Sequence, residues 1–219
     1  MTASGGFTPI EEAPVFGFIG GDPCVDFVNT SDHWPVPAKG DQLRTYADLL
    51  AWLVQAGLID AETHGILEHA ARAQPEEAQR VLERARTFRA QLRSVLVAAS
   101  SGERAEGRTV AALSVAVRKA QTHSELLPAD RHFVWALDPA HRSRLDWPIW
   151  RLSHAAASLL TSESLHHVRE CADAGCQWMF LDRSRNHSRR WCDMAVCGNR
   201  AKARRNYARR KAKQEPSSD

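Results

Sequence analysis

Four of the chain's five cysteines fall within 27 consecutive residues, as two pairs that share one spacing. Cys171 and Cys176 have four residues between them, Cys192 and Cys197 have the same, and fifteen residues separate the pairs. Four thiolates around one zinc ion form a closed tetrahedral shell with no open position for water or substrate. The spacing therefore predicts a single structural Zn2+ and argues against zinc catalysis. Such an ion stabilises a segment too small to hold a core of its own. The alternatives are four unligated core thiols, two disulfides in an oxidising compartment, or His187 taking the place of one ligand. Cys24, alone far upstream, reads as a small buried hydrophobe.

The second chemical signal follows the last cysteine. Arg200, Lys202, Arg204, Arg205, Arg209, Arg210, Lys211 and Lys213 are interleaved with alanines, and no acid occurs between Asp193 and Glu215. The alanines favour a helix, and the charges leave it no apolar face to bury. Residues 169–213 carry 13 Lys/Arg against 4 Asp/Glu, whereas residues 1–168 carry 16 against 20. A basic block on an acidic body is the footprint of a polyanion-binding module. A solvated face or a membrane surface is the plainer alternative, although such faces usually mix signs. An arginine-rich helix fits the major groove of B-DNA but not the deep, narrow one of A-form RNA, which favours double-stranded DNA over RNA. Arg183, Arg185, Arg189 and Arg190 are expected on phosphates, with base reading by Asn199, Arg200 and the following turns.

The elements that must position these residues are mostly helical. The first pair sits on a turn, Trp178–Leu181 read as a strand, residues 183–190 as a polar connection, and the second pair opens the basic helix. That order predicts a small treble-clef-like finger. Upstream, apolar residues step by three or four from Asp41 to Leu58, Asp60 can cap a helix to Ala73, and Pro75 suits the first turn of another that ends near Gly102. Val110, Leu113 and Val117 mark a fourth helix, and Asp146 is placed to cap a fifth. Residues 131–137 alternate and read as a lone strand, to be paired with the segment near Phe16; residues 25–28 are either a short strand or a first helical turn. The fold class is thus mainly α with a small β component. The expected division is a disordered start (1–12), a helical domain (13–165), the zinc finger with its basic helix (169–213) and a disordered tail (214–219). Five tryptophans (Trp34, Trp52, Trp135, Trp147, Trp150) belong to the helical body, as core or as the lining of a ligand pocket.

The stretch from Cys171 through Cys176-Gln-Trp-Met-Phe-Leu-Asp182, Arg189-Arg-Trp-Cys192 and Cys197-Gly-Asn-Arg200-Ala-Lys202 resembles the CGNR-type zinc finger over about 45 residues, with both cysteine pairs in place. Gly20-Gly21, Cys24-Val-Asp26-Phe27, Asn29-Thr30 and the run from Asp48-Leu49 to Gly57-Leu58 are similar, more diffusely, to the ABATE domain that accompanies this finger in bacterial proteins. The resemblance implies a stress-induced transcription regulator that binds zinc and DNA.

Residues and resemblance together predict a DNA-binding regulator whose N-terminal domain senses a small-molecule effector or forms a homodimer. Asp26, Asn29 and Thr30 are its candidate ligand contacts, the alternative being that they cap a helix and fix a turn. An RNA- or ribosome-associated zinc protein shares the charge pattern. An enzyme with an N-terminal pocket is the third reading, against which stands the lack of any phosphate-binding glycine loop, nucleophile elbow or HExxH. No apolar run is long enough to span a bilayer and the start has no secretory character, so the expected location is the cytoplasm.

Overall fold

The computed structural model describes residues 14–31 and 40–214. Trp34, the first twelve residues and the end of the tail lie outside that range. Seven α-helices and two separate antiparallel hairpins are present among the described residues: α1 (Pro23–Val28), α2 (Tyr46–Gln55), α3 (Ala61–Ala73), α4 (Pro75–Ser101), α5 (Gly107–Gln121), β1 (Ser124–Ala129), β2 (His132–Leu137), α6 (Trp147–Leu160), β3 (Val168–Glu170), β4 (Met179–Leu181) and α7 (Asn199–Gln214).

Local chemistry sets most of the helix ends. The Asp60 carboxylate accepts from Thr63 N–H at 2.7 Å and starts α3. Pro75 opens the 27-residue α4, and Gly102 closes it in the left-handed conformation (φ 74°). Residues 23–28 resolve as helix, begun by Asp22. The helix expected from Asp41 starts later, at Tyr46, because Thr45 and Asp48 form a reciprocal capping box there. Asp41 instead accepts from Leu43 N–H and from the buried guanidinium of Arg89 on α4.

Two further expectations are corrected. Residues 132–137 pair with β1, directly upstream, through the turn at Asp130-Arg131, not with the segment near Phe16. Closing a two-residue turn orders far less chain than bringing together segments a hundred residues apart. Asp146 makes no side-chain cap on α6. Its carboxylate receives Arg84 of α4 at 2.7 Å and Lys119 of α5 at 3.1 Å, so it ties three helices together.

The core of the body lies where α1, α2, α4 and α6 meet, around Phe27, Leu49, Leu50, Trp52, Leu82, Leu92, Leu96 and Trp150. Trp52, Trp147 and Trp150 are buried; Trp135, on the outer hairpin, is half exposed with Leu126 and Phe133.

Asp26, Asn29 and Thr30 are all buried and bonded within the protein. Thr30 Oγ1 donates to the Phe27 carbonyl and accepts from Arg89 at 2.9 Å. Asp26 accepts from Gly20 N–H at 2.6 Å, at a spot where even a Cβ on Gly20 would lie 2.8 Å from the carboxylate. Burial pushes the Asp26 carboxyl up to about 6 against its hydrogen bond from Gly20. A folded-state value above the unfolded one means the fold takes up a proton, so Asp26 favours the folded state most below about pH 4 and loses about 2–3 kcal/mol of that by pH 7. In Asp26→Asn, the difference in unfolding free energy from wild type should therefore shift in the variant's favour by that amount between pH 4 and 7. Parallel pH profiles for the two proteins in urea titrations would contradict this.

Candidate metal centre and basic helix

The β3–β4 hairpin brings the cysteines together. Its six residues pair Val168 with Leu181, Arg169 with Phe180 and Glu170 with Met179. Side chains alternate across a strand, so Val168, Met179 and Leu181 enter the core of the body while Phe180 packs against the cysteines with Trp178. The outer edge of β4 is completed by the N-terminal region. Leu181 N–H donates to the Gly20 carbonyl at 2.7 Å, and the Asn29 side chain bonds both the carbonyl and the N–H of Met179, each at 2.8 Å. Arg93 of α4 reaches the Gln177 carbonyl at 2.9 Å, in the turn after Cys176 where Gln177 takes φ 55°.

Between the two strands, the turn from Cys171 to Cys176 is closed by Cys176 N–H on the Asp173 carbonyl at 2.8 Å. Of the second pair, Cys192 stands just before, and Cys197 within, a short wide turn, Met194–Gly198, that leads directly into α7 and is started by the Asp193 carboxylate on Val196 N–H. Gly198 leaves room there for the Met194 sulfur, 2.4 Å from where a Cβ would stand. All four cysteines are buried and free of disulfides, and their Sγ atoms lie within 4.8 Å of one another, with Cys176–Cys192 at 3.5 Å and Cys192–Cys197 at 3.7 Å. Thiolates 2.3 Å from a tetrahedral zinc stand about 3.8 Å apart, so the residues fit one Zn2+.

Hydrogen bonds from Cys176 and Cys192 hold the Cys171 thiol below its ordinary value, while the same crowding pushes Cys176 and Cys192 up. A divalent cation removes the mutual repulsion and lets all four bind as thiolates. Cys192 N–H donates to Cys171 Sγ at 3.4 Å, an N–H···S contact that stabilises the anion. His187 lies outside the cluster, exposed, with its ring stacked on His167 at 3.8 Å and Nδ1 against the Asp182 carbonyl.

The loop between β4 and the second pair is ordered by Asp182. Burial would raise this carboxyl, but hydrogen bonds from Ser184 and from Arg189 N–H outweigh it and hold it low. The arginines expected on phosphates divide accordingly. Arg189 is folded back, its guanidinium 4.4 Å over the Phe180 ring and donating to the Trp191 and Cys192 carbonyls. Arg190 lies over Trp191, and Arg183 and Arg185 are exposed. On α7, Asn199 donates back to the Ala195 carbonyl, Arg200 and Arg204 turn onto Asp173, and Lys202, Arg205, Arg209, Arg210 and Lys211 are exposed.

Asp173, Asn29 as partner of Met179, Arg93 and Asp182 are the residues that sequence reasoning missed. Asp173 carried a signal as an acid inside a cysteine pair of a strongly basic segment, and Asp182 as part of the stretch that resembles the finger.

Among the described residues no helix is long and apolar enough to cross a membrane. Comparison with known proteins matches residues 167–210 to the CGNR zinc finger, with the four cysteines of the cluster inside the match. Residues 21–163 match the ABATE family, described as "putative stress-induced transcription regulator". No curated protein matches the sequence. With about two thirds of its length matched and the zinc module in place, the chain belongs to the ABATE family and ends in a CGNR zinc finger.

Proposed function

We propose that the protein is a DNA-binding transcription regulator, in which the zinc module presents α7 to duplex DNA and the helical body serves as a sensing or dimerisation module. The observation that carries this reading is the pairing of a closed four-thiolate cluster with a basic helix on which Lys202, Arg205, Arg209, Arg210 and Lys211 are all exposed. A closed shell does no chemistry on substrate, and a helix so charged is free to meet phosphates. The family description as a transcription regulator supports the same reading. For the body, a groove of about 240 Å³ between α4, α5 and α6, lined by Phe88, Ala116, Ile149 and Trp150 together with the Arg84–Asp146–Lys119 cluster, offers space for a small molecule.

The test is binding of the zinc-loaded protein to a random-sequence duplex pool over a salt series, with structured RNA in parallel and Cys192→Ser as control. Affinity that falls steeply with salt, narrows to one sequence on selection and is lost in the variant is the expected result. Tighter binding to RNA would replace this reading with that of an RNA-associated zinc protein. Binding to neither would leave the finger a scaffold and direct attention to the groove.

A further inference from the structure

Asp173 is the only carboxylate among the described residues that touches α7. It sits inside the turn between Cys171 and Cys176, with its side chain fully buried. One carboxylate oxygen accepts from the Arg204 guanidinium, and the other makes no hydrogen bond but lies 3.4 Å from Arg200 Nε as an ion pair. Its carbonyl accepts from Cys176 N–H. A single residue thus holds one member of the metal cluster through its backbone and two arginines of the basic helix through its side chain.

The two arginines are four residues apart, one helical turn, and therefore share one face of α7. Tyr207 and Lys211 continue that face. Lys202, Arg205 and Arg209, spaced by three and four, stand roughly 140–200° around the helix from Arg200 and define the opposite face. All three are exposed, and no ion pair engages them among the described residues. A buried carboxylate cannot give up both guanidinium partners without being left an uncompensated charge. Arg200 and Arg204 are consequently committed to it, and the helix is fixed in rotation about its own axis.

We infer that Asp173 is a positioning residue which locks α7 to the zinc cluster through Arg200 and Arg204, so that the face carrying Lys202, Arg205 and Arg209 is the one that meets DNA phosphates. The assignment of DNA as the partner rests on the function proposed above; the lock itself does not. It follows that the basic residues of α7 are not equivalent. Each phosphate-contacting side chain releases counterions on binding, whereas a guanidinium already paired with a carboxylate of the protein does not.

Two measurements on the zinc-loaded full chain test this. In the salt dependence of duplex binding, Lys202→Gln, Arg205→Gln and Arg209→Gln are each expected to reduce the slope of log K against log salt by about 0.9, and Arg200→Gln and Arg204→Gln to leave it unchanged. Equal slope losses at all five positions would overturn the assignment of faces. The second measurement needs no DNA. Asp173→Asn and Arg204→Gln should each speed amide hydrogen exchange in α7 about tenfold with one zinc retained, and the double variant should be no faster than either single one. Arg204→Gln leaves the cysteine turn untouched, so it remains informative if Asp173→Asn sheds its metal. Unchanged exchange in α7 would overturn the lock. If wild type binds no duplex at all, the DNA reading and the face assignment fail together, and exchange still decides whether the lock exists.

Discussion

Zinc removal by a chelator, or replacement of Cys192 by serine, is expected to lower the melting temperature of the whole chain by roughly 10–25 °C and not merely to release a flexible end. The module has no core beyond the cysteines, Trp178, Phe180 and the flanking Ile19 and Trp191, so without the ion its turns have nothing to hold them. Apparent zinc-binding free energies of isolated fingers are about 10–16 kcal/mol and are folding free energies. The β3–β4 hairpin is also shared: Val168, Met179 and Leu181 are fully or almost fully buried in the core of the body. Withdrawing three such side chains forfeits about 1.5–3 kcal/mol each, and in a chain of this size each kcal/mol corresponds to roughly 2–4 °C. Thermal unfolding with and without chelator, with zinc counted per chain, checks this. One zinc per chain is expected in wild type and in a Cys24→Ser variant, because Cys24 is buried away from the cluster. A melting temperature that stays within about 3 °C on metal removal would show that the body does not depend on the hairpin.

Asn29→Ala should have the next largest effect. Asn29 is 2% exposed, and its amide answers both the N–H and the carbonyl of Met179, 150 residues away. Truncation leaves two buried backbone groups on β4 without partners, at about 1–3 kcal/mol each. The expected loss is about 2–5 kcal/mol, visible as a drop of roughly 5–15 °C. Met179 stands between the two cysteine pairs, so the same variant should surrender zinc to a chelator faster than wild type. Asn29→Asp separates the two bonds. It keeps the acceptor for Met179 N–H but sets a carboxylate oxygen against the Met179 carbonyl, and should be at least as destabilised. A stable Asn29→Ala with wild-type zinc transfer would mean that the body and the finger are joined by apolar packing alone.

How much of this was legible beforehand depends on the range of the interaction. The cysteine spacing declared the ligands, because a metal needs donors of one kind at short intervals and those intervals are written in the chain. Asp60, Pro75 and Gly102 announced helix ends because caps act within one turn. The basic run announced α7 because charge and helix propensity are local properties. The resemblance to the CGNR finger and the ABATE domain matches the family comparison.

Interactions between distant residues were not legible. Asp146 has the type and position of a helix cap, and only the approach of α4 and α5 gives its carboxylate to Arg84 and Lys119, since charged partners outbid a backbone N–H for a half-buried acid. Arg200 and Arg204 look the same in sequence as Lys202 and Arg205. The fold alone sets a buried carboxylate against one face of the helix and leaves the other to solvent. Asn29 read as a turn residue or a ligand contact, and became the clasp on β4 because an unpaired strand edge inside the protein must find partners for its N–H and carbonyl groups. Residue types and spacing determined the zinc ligands and the basic helix of this protein. Which arginines remain free, and how the finger is fastened to the body, were decided only by the tertiary structure, because buried polar groups take whatever partner the packing brings within reach.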